Sequence, residues 1–177
     1  TSKSDKQLII VRPGVVFGPG EGGNMSRLIK AVKAGYFFYM GNKNTRKAGT
    51  YVKELCNAIS WVDNFQQENN EKFSLFNMTM HPAPSVSEYV TAIKKISNTN
   101  KFQFTFPYFA LLAVAYIIDI ICKPLGLNQP FSPVRIKKLV RSNDIKPGFL
   151  LKHKYKYKYS WESSLRDWKT EYSKESE

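Results

Sequence analysis

The stretch of this sequence best equipped for chemistry is Arg12-Pro13-Gly14-Val15-Val16-Phe17-Gly18-Pro19-Gly20-Glu21-Gly22-Gly23-Asn24. A backbone with so many glycines either turns sharply or lies bare against a ligand. Asn24 stands where a helix N-cap belongs, and the amides and positive dipole end of that helix suit an anion such as a phosphate. His81 follows a strand and precedes Pro82, a place read as a backbone-bonded turn histidine in preference to a catalytic one. Cys56 and Cys122 show no CxxC spacing and have only His81 and His153 as companions, so neither a disulfide framework nor a structural zinc site is expected. Residues 152–159 alternate lysine with ring residues, His153 and then Tyr155, Tyr157 and Tyr159. Drawn as a strand, they would put phosphate-binding ammonium groups on one face and base-stacking rings on the other.

The elements that must position these groups follow from periodicity. Leu8-Ile9-Ile10-Val11 is apolar on both faces, as a strand buried within a parallel sheet should be. Met25, Leu28, Ile29 and Val32 fall at helical spacing between Asn24 and a C-capping Gly35. Residues 36–40 read as a short aromatic strand and 41–49 as a polar, basic loop. A second helix then begins at Tyr51-Val52, with Val52, Leu55, Ile59 and Val62 on its apolar stripe. Residues 73–78 form another strand. His81-Pro82-Ala83-Pro84 delays the next helix to Ser85, which makes a capping box with Glu88. Alternating strands and helices without internal repeats define an α/β pattern.

Residues 106–122 are almost wholly apolar, but seventeen residues containing Asp119 fall short of the ~20 that cross a bilayer. They are expected to form a helix packed in the protein, with contact at a membrane surface as the second reading, flanked by Lys101 and Lys123. Ser132-Pro133 opens a short basic helix through Arg141, and 160–169 read as a terminal helix with Trp161, Leu165 and Trp168 on one side.

Composition narrows the function classes. The 177 residues are 42% hydrophobic and 14% aromatic, enough for a buried core, which excludes an intrinsically disordered polycation. The formal net charge of +13 favours anionic ligands or surfaces. Its lysines are spread along the chain and no nucleic-acid-binding motif appears, so nucleic acid is disfavoured as a partner. The first residues carry no apolar secretory core, and the default expectation is the cytoplasm.

In order and spacing, the segments RPGVVFGPGEGGN, Tyr39-Met40-Gly41-Asn42, Asn44-Thr45-Arg46-Lys47, Tyr51-Val52-Lys53-Glu54-Leu55, FSLFNMTMHPAPSVSEYVTAIKKI and YSWESSLRDW together resemble the NAD-dependent epimerase/dehydratase family, the extended short-chain dehydrogenase/reductases. The resemblance covers nearly the whole chain and implies the C-terminal part of a Rossmann-like doubly wound α/β fold plus a small α/β substrate-binding subdomain. Residues 1–177 would form one substrate-binding domain carrying the last strands of the dinucleotide sheet, at about 8–12 and 73–78. The glycine-rich pyrophosphate turn and the Tyr-x-x-x-Lys pair of the family lie upstream of these segments. Tyr36 is followed four positions later by Met40, and Tyr155 by Tyr159, so no such pair is read here and the chain alone is expected to be inactive.

Residue by residue, the resemblance implies that Pro13, Gly14 and Val15 border the nicotinamide of NAD or NADP, which the N-terminal half would mainly hold. Asn24 and Met25 would meet a nucleotide phosphate, and Phe38 and Met40 would sandwich the base. Arg46 or Lys47 would neutralise the diphosphate, with Arg141 as a second cation. The implied substrate is a nucleotide-sugar, a UDP-sugar favoured, and the family is often homodimeric. Val15 stands where many sugar-modifying members carry Asn. That departure, with the apolar 106–122 segment, keeps a 3β-hydroxysteroid dehydrogenase-like reductase open, and the charge keeps open a basic module for nucleic acid or membrane surfaces.

Overall fold

The computed structural model describes residues 6–123 and 132–174. In chain order the elements are β1 (Leu8–Pro13), β2 (Val15–Phe17), α1 (Asn24–Ala34), β3 (Tyr39–Met40), β4 (Gly49–Tyr51), α2 (Val52–Asn69), β5 (Phe73–Met78), α3 (Val86–Ser97), β6 (Thr105–Phe106), α4 (Tyr108–Cys122), α5 (Pro133–Val140), α6 (Gly148–Lys152) and α7 (Trp161–Lys174). Two compact units share them. Among the described residues one takes 6–25, 48–84 and 144–174, and the other takes 26–47, 85–123 and 132–143.

In the first unit β1 lies parallel to β5, in register from Leu8 opposite Phe73 to Pro13 opposite Met78. β2 lies parallel to β4. Parallel pairing needs a crossover: the chain runs through α1 between the paired β2 and β4, and α2 then carries it from β4 to β5 beside β1. The core gathers Ala58 and Val62 of α2, Phe76 and Met78 of β5 and Leu150 of α6, with Ile9, Val11 and Phe149 packed around them. The expectation that β1 is apolar on two buried faces needs correction. Side chains of opposite residues in a parallel pair share a face, and the face bearing Leu8, Ile10, Phe73 and Leu75 is exposed, Leu8 to 54% and Phe73 to 53%. Among the described residues β1 and β5 pair only with each other.

The buried stripe of α2 also differs from the expected one. It runs Glu54, Ala58, Val62 and Gln66, four residues apart, while Leu55 and Ile59 are only half-buried. A glutamate and a glutamine hold core positions because each has partners there. Gln66 Nε2 donates to the Leu8 carbonyl at 3.1 Å. Glu54 accepts from the Tyr155 hydroxyl at 2.6 Å and from the Lys158 and Tyr159 amides at 3.1 and 2.8 Å. The Lys/Tyr segment is therefore not a strand. It is an irregular strap whose tyrosines turn inward and whose lysines turn out. Tyr157 donates to the Thr79 carbonyl at 2.9 Å, and burial pushes its phenol up to about 12. Rings held this way offer no base-stacking platform. α7 closes the unit with Leu165 and Trp168 buried, Trp168 against Phe17, as its spacing predicts.

In the second unit α1 ends at Ala34 and is followed by Gly35, whose φ of 87° is the left-handed value expected of a C-capping glycine. β3 pairs in parallel with β6. The expected aromatic strand over 36–40 is reduced to Tyr39 and Met40. α3 carries the predicted capping box, Ser85 and Glu88 each satisfying the other's backbone amide. Its buried face is Tyr89, Val90, Ala92 and Ile93. α5 begins at Pro133 with the Ser132 side chain accepting from the Arg135 amide, and ends at Val140, one residue before Arg141. α4 forms where expected, but the reading of a helix packed in the protein is corrected. Of its residues only Ala115 is fully buried.

Candidate functional site

The glycine-rich turn is built from the first unit. Pro13 ends β1, and the Gly14 amide donates to the Met78 carbonyl at 2.9 Å and to Thr50 Oγ1 at 3.2 Å. Thr50 in turn donates its hydroxyl to the same Met78 carbonyl at 2.6 Å. Val15 resumes pairing through the Ala48 carbonyl at 3.0 Å, with its side chain exposed. A Cβ on Gly14 would lie 2.7 Å from the Ala48 carbonyl oxygen, so only glycine fits this crossing of two backbones. The turn lies at the carboxyl end of a parallel strand, the edge where open α/β sheets receive ligands. Thr50, fully buried in Gly49-Thr50-Tyr51, escaped the sequence reading. A hydroxyl in a short apolar strand next to a helix start was the available signal.

Asn24 is the first residue of α1 and exposed, whereas Met25 is buried and serves the core. Phe38 and Met40, two positions apart in extended chain, are half-buried in the second unit. Phe38 meets Phe106 edge to face at 5.0 Å between ring centres, and Met40 sits opposite Phe106 in register. Both keep accessible surface, and burial raises the phenol of Tyr39 between them above its ordinary value.

The basic loop is stitched into the second unit by hydrogen bonds from both sides. Thr45 accepts the Val86 amide on its carbonyl at 2.9 Å and donates its hydroxyl to the Asn42 carbonyl at 2.7 Å. The Arg46 amide donates to Ser142 Oγ at 3.0 Å, and the Asn143 amide donates to the Arg46 carbonyl at 2.9 Å. Tyr89 donates to the Lys47 carbonyl at 3.1 Å. The two cations left open by the sequence now differ. Lys47 is half-buried and its ammonium donates to the Arg141 carbonyl at 2.7 Å, and burial holds its pKa below the usual lysine range. Arg46 is exposed, and near enough to Glu88 to help hold that carboxyl below the ordinary range, behind the larger effect of hydrogen bonds from Ser85. Arg141 is brought to the same loop through its backbone.

His81 is exposed, which agrees with a turn position. One Tyr-x-x-x-Lys spacing does exist, Tyr39 with Lys43, and the expectation of none is corrected on that point. The strand ends at Met40, and Gly41 turns the chain at φ 72°, so the two side chains do not stack on one helix face. Among the described residues no group of histidine, cysteine, aspartate and glutamate could hold a metal ion.

No protein-family model matches the sequence. It is 25% identical over 135 residues, 76% of this chain and 40% of the relative, to the N-acetyl-α-D-glucosaminyl-diphospho-ditrans,octacis-undecaprenol 4-epimerase of Escherichia coli O157:H7. Among solved structures, a UDP-glucose 4-epimerase of Thermotoga maritima with UDP-glucose superposes with a TM-score of 0.58 at 16% identity, covering 96% of this chain and 47% of that one. The human epimerase family protein SDR39U1 with NADPH gives a TM-score of 0.61 at 16% identity, covering 92% and 48%. The chain thus spans less than half the length of these proteins. It is similar in sequence to an epimerase and in fold to epimerase structures, in each case over less than half of their length.

Proposed function

We propose that this chain is the substrate-binding portion of an NAD(P)-dependent epimerase or dehydratase that acts on a sugar carried by a diphosphate, a nucleotide-sugar with UDP favoured. The observation that carries this reading is the Gly14 turn. A parallel strand ends in a backbone crossing that admits no side chain, at the edge where such sheets receive dinucleotides and their substrates. That bare turn fits a nicotinamide ring against Pro13, Gly14 and Val15. When bound, the cofactor supplies reversible hydride transfer. The chain's own residues orient the substrate: Arg46 neutralises the diphosphate, Lys47 and Arg141 hold the loop that presents it, Asn24 meets a phosphate, and Phe38 and Met40 flank the base. Met25 keeps a packing role.

The test is calorimetric titration of the chain with UDP-glucose and UDP-N-acetylglucosamine, with turnover assayed alongside in the presence of NAD and NADP. The expected result is binding that Arg46→Ala weakens about tenfold, the loss of one charge-assisted contact, with no turnover. Turnover by the wild-type chain alone, or binding untouched by Arg46→Ala, overturns the assignment.

A second reading of the carrier is favoured by the exposed apolar helix α4. The E. coli relative is named for a sugar diphosphate on undecaprenol, and a polyprenyl carrier would present the same diphosphate to Arg46 with an apolar tail in place of the base. Competition between UDP-N-acetylglucosamine and a short-chain polyprenyl diphosphate-sugar separates the two.

A further inference from the structure

An ordinary surface helix turns its polar face to water, and α4 does the reverse. Its fully buried residue is the small Ala115, while Phe109, Val114, Tyr116, Ile117, Ile120 and Ile121 are exposed, Phe109 to 75% and Ile120 to 70%. At 100° per residue these side chains, with Ala110 and Ala113, fill an arc of about 160° that contains no charge. Asp119, the helix's one charged residue, lies outside it. Just before the helix, Phe102, Phe104 and Phe106 alternate along the chain and are all exposed. An exposed apolar surface of this extent is the mark of an interaction site.

Its borders identify the partner. α5 packs against α4 and exposes Arg135, Lys137 and Lys138. Lys137 Nζ lies 3.5 Å from the Tyr116 hydroxyl and 6.0 Å from its ring centre, at the edge of the apolar arc. Lys123 extends from the C-terminal end of α4, 80% exposed and only 3.7 Å-paired with Asp119. Lys101, expected from the sequence as the other flanking cation, is instead bound to the Ala34 carbonyl at 3.0 Å at the end of α1. A wide apolar stripe rimmed by cations suits the boundary between acyl chains and anionic headgroups. Fifteen residues make a helix about 22 Å long, short of the roughly 30 Å hydrocarbon core, and among the described residues no helix is long and apolar enough to cross a membrane.

We propose that α4 lies in the plane of an anionic bilayer leaflet, with Phe109, Ile117 and Ile120 in the acyl region and Lys123, Lys137 and Lys138 among the headgroups. The docking is independent of whether the sugar carrier is a nucleotide or a lipid, so a failure of the proposed function leaves it standing. It is tested by sedimenting the 177-residue chain with phosphatidylcholine vesicles, with and without phosphatidylglycerol. Stronger binding to the anionic vesicles is expected. Phe109→Ser/Ile117→Ser/Ile120→Ser should weaken it at least about tenfold, since each side chain gives up apolar burial. Lys137→Glu/Lys138→Glu should abolish the preference for phosphatidylglycerol. Ile10→Ser/Leu75→Ser, on the exposed sheet face of the other unit, should change nothing. Equal loss from this last variant, or vesicle binding untouched by the triple one, overturns the proposal. So does a wild-type dimer in sedimentation velocity that the triple variant converts to monomer without any vesicle binding, since the face would then join two copies. Should the triple variant unfold by circular dichroism, Ile117→Trp decides: quenching by brominated acyl chains beyond that of the native tryptophans supports insertion, and its absence refutes it.

Discussion

The carboxylate of Glu54, fully buried on α2, accepts a 2.6 Å hydrogen bond from the hydroxyl of Tyr155, more than a hundred residues further along the chain. The Lys158 and Tyr159 amides complete its shell, so one side chain anchors the whole strap between α6 and α7. The same contact, after burial, raises the Tyr155 phenol far above its ordinary value. Glu54→Ala leaves three donors without an acceptor in the interior, and we expect a loss of about 3 kcal/mol, against about 1 kcal/mol for Tyr155→Phe. Urea midpoints at equal m-values measure both. A Glu54→Ala cost no greater than that of Tyr155→Phe would mean that water replaces the carboxylate.

Gly14→Ala tests the backbone crossing at the end of β1. The added methyl meets the Ala48 carbonyl oxygen at 2.7 Å, a backbone atom next to the paired strand β4, so it cannot be relieved by a side-chain rotation. An overpacking cost of about 1–3 kcal/mol is expected in thermal unfolding. Gly20→Ala is the informative companion, because a Cβ there meets nothing within 4 Å and any cost comes from its φ of 76° alone.

The two cations of the basic loop separate by readout. Lys47→Ala removes a half-buried ammonium from the Arg141 carbonyl and should lower stability by about 1 kcal/mol as well as weaken binding of a UDP-sugar. Arg46→Ala should weaken binding with a melting temperature close to wild type, because an exposed residue contributes little to the core. The reverse pattern would assign the diphosphate to Lys47.

Much of this was legible in the sequence, and the divide follows the range of the interactions. The C-capping Gly35, the Ser85/Glu88 box and the Ser132-Pro133 start depend on groups within a few positions of one another, and each lies where its pattern puts it, while Asn24, expected as the N-cap, is the first residue of the helix itself. Glu54 was unreadable as a core residue because its partners are a hundred positions away. Lys and Tyr in alternation imply a strand only if neighbouring strands exist, and here the tyrosines point inward from an irregular strap. Arg46 and Lys47 are adjacent and equally basic in sequence. Only the fold, by placing the Arg141 carbonyl beside one of them, tells them apart.

Glu88 gives the chain a pH-dependent element with a defined sign. Hydrogen bonds from the Ser85 amide and hydroxyl hold its carboxyl below the usual range, so the folded state binds the proton less readily than the unfolded state does. The resulting stability is complete above the ordinary glutamate pKa and is lost as pH falls through the lower folded value. Ser85→Ala removes the cap, for a cost of about 1 kcal/mol at neutral pH that shrinks under acid conditions. Thermal melts of wild type and variant from neutral to acid pH should therefore converge, and parallel curves would mean that Glu88 contributes nothing to the cap.

The exposed face of β1 and β5 makes the last prediction. Leu8, Ile10, Phe73 and Leu75 form two cross-strand pairs on one face of a two-stranded parallel ladder, while Ile9, Val11, Phe76 and Met78 on the other face build the core. Ile10→Thr/Leu75→Thr keeps one β-branched residue and adds another, and it removes apolar surface that is already wet, Ile10 at 40% exposure and Leu75 at 39%. The double variant should cost less than about 1 kcal/mol in stability, reduce binding of a hydrophobic dye and raise solubility. Ile9→Thr/Phe76→Thr, on the opposite face, should cost several times more because it opens the core. Equal losses from the two pairs would mean that both faces are covered in solution.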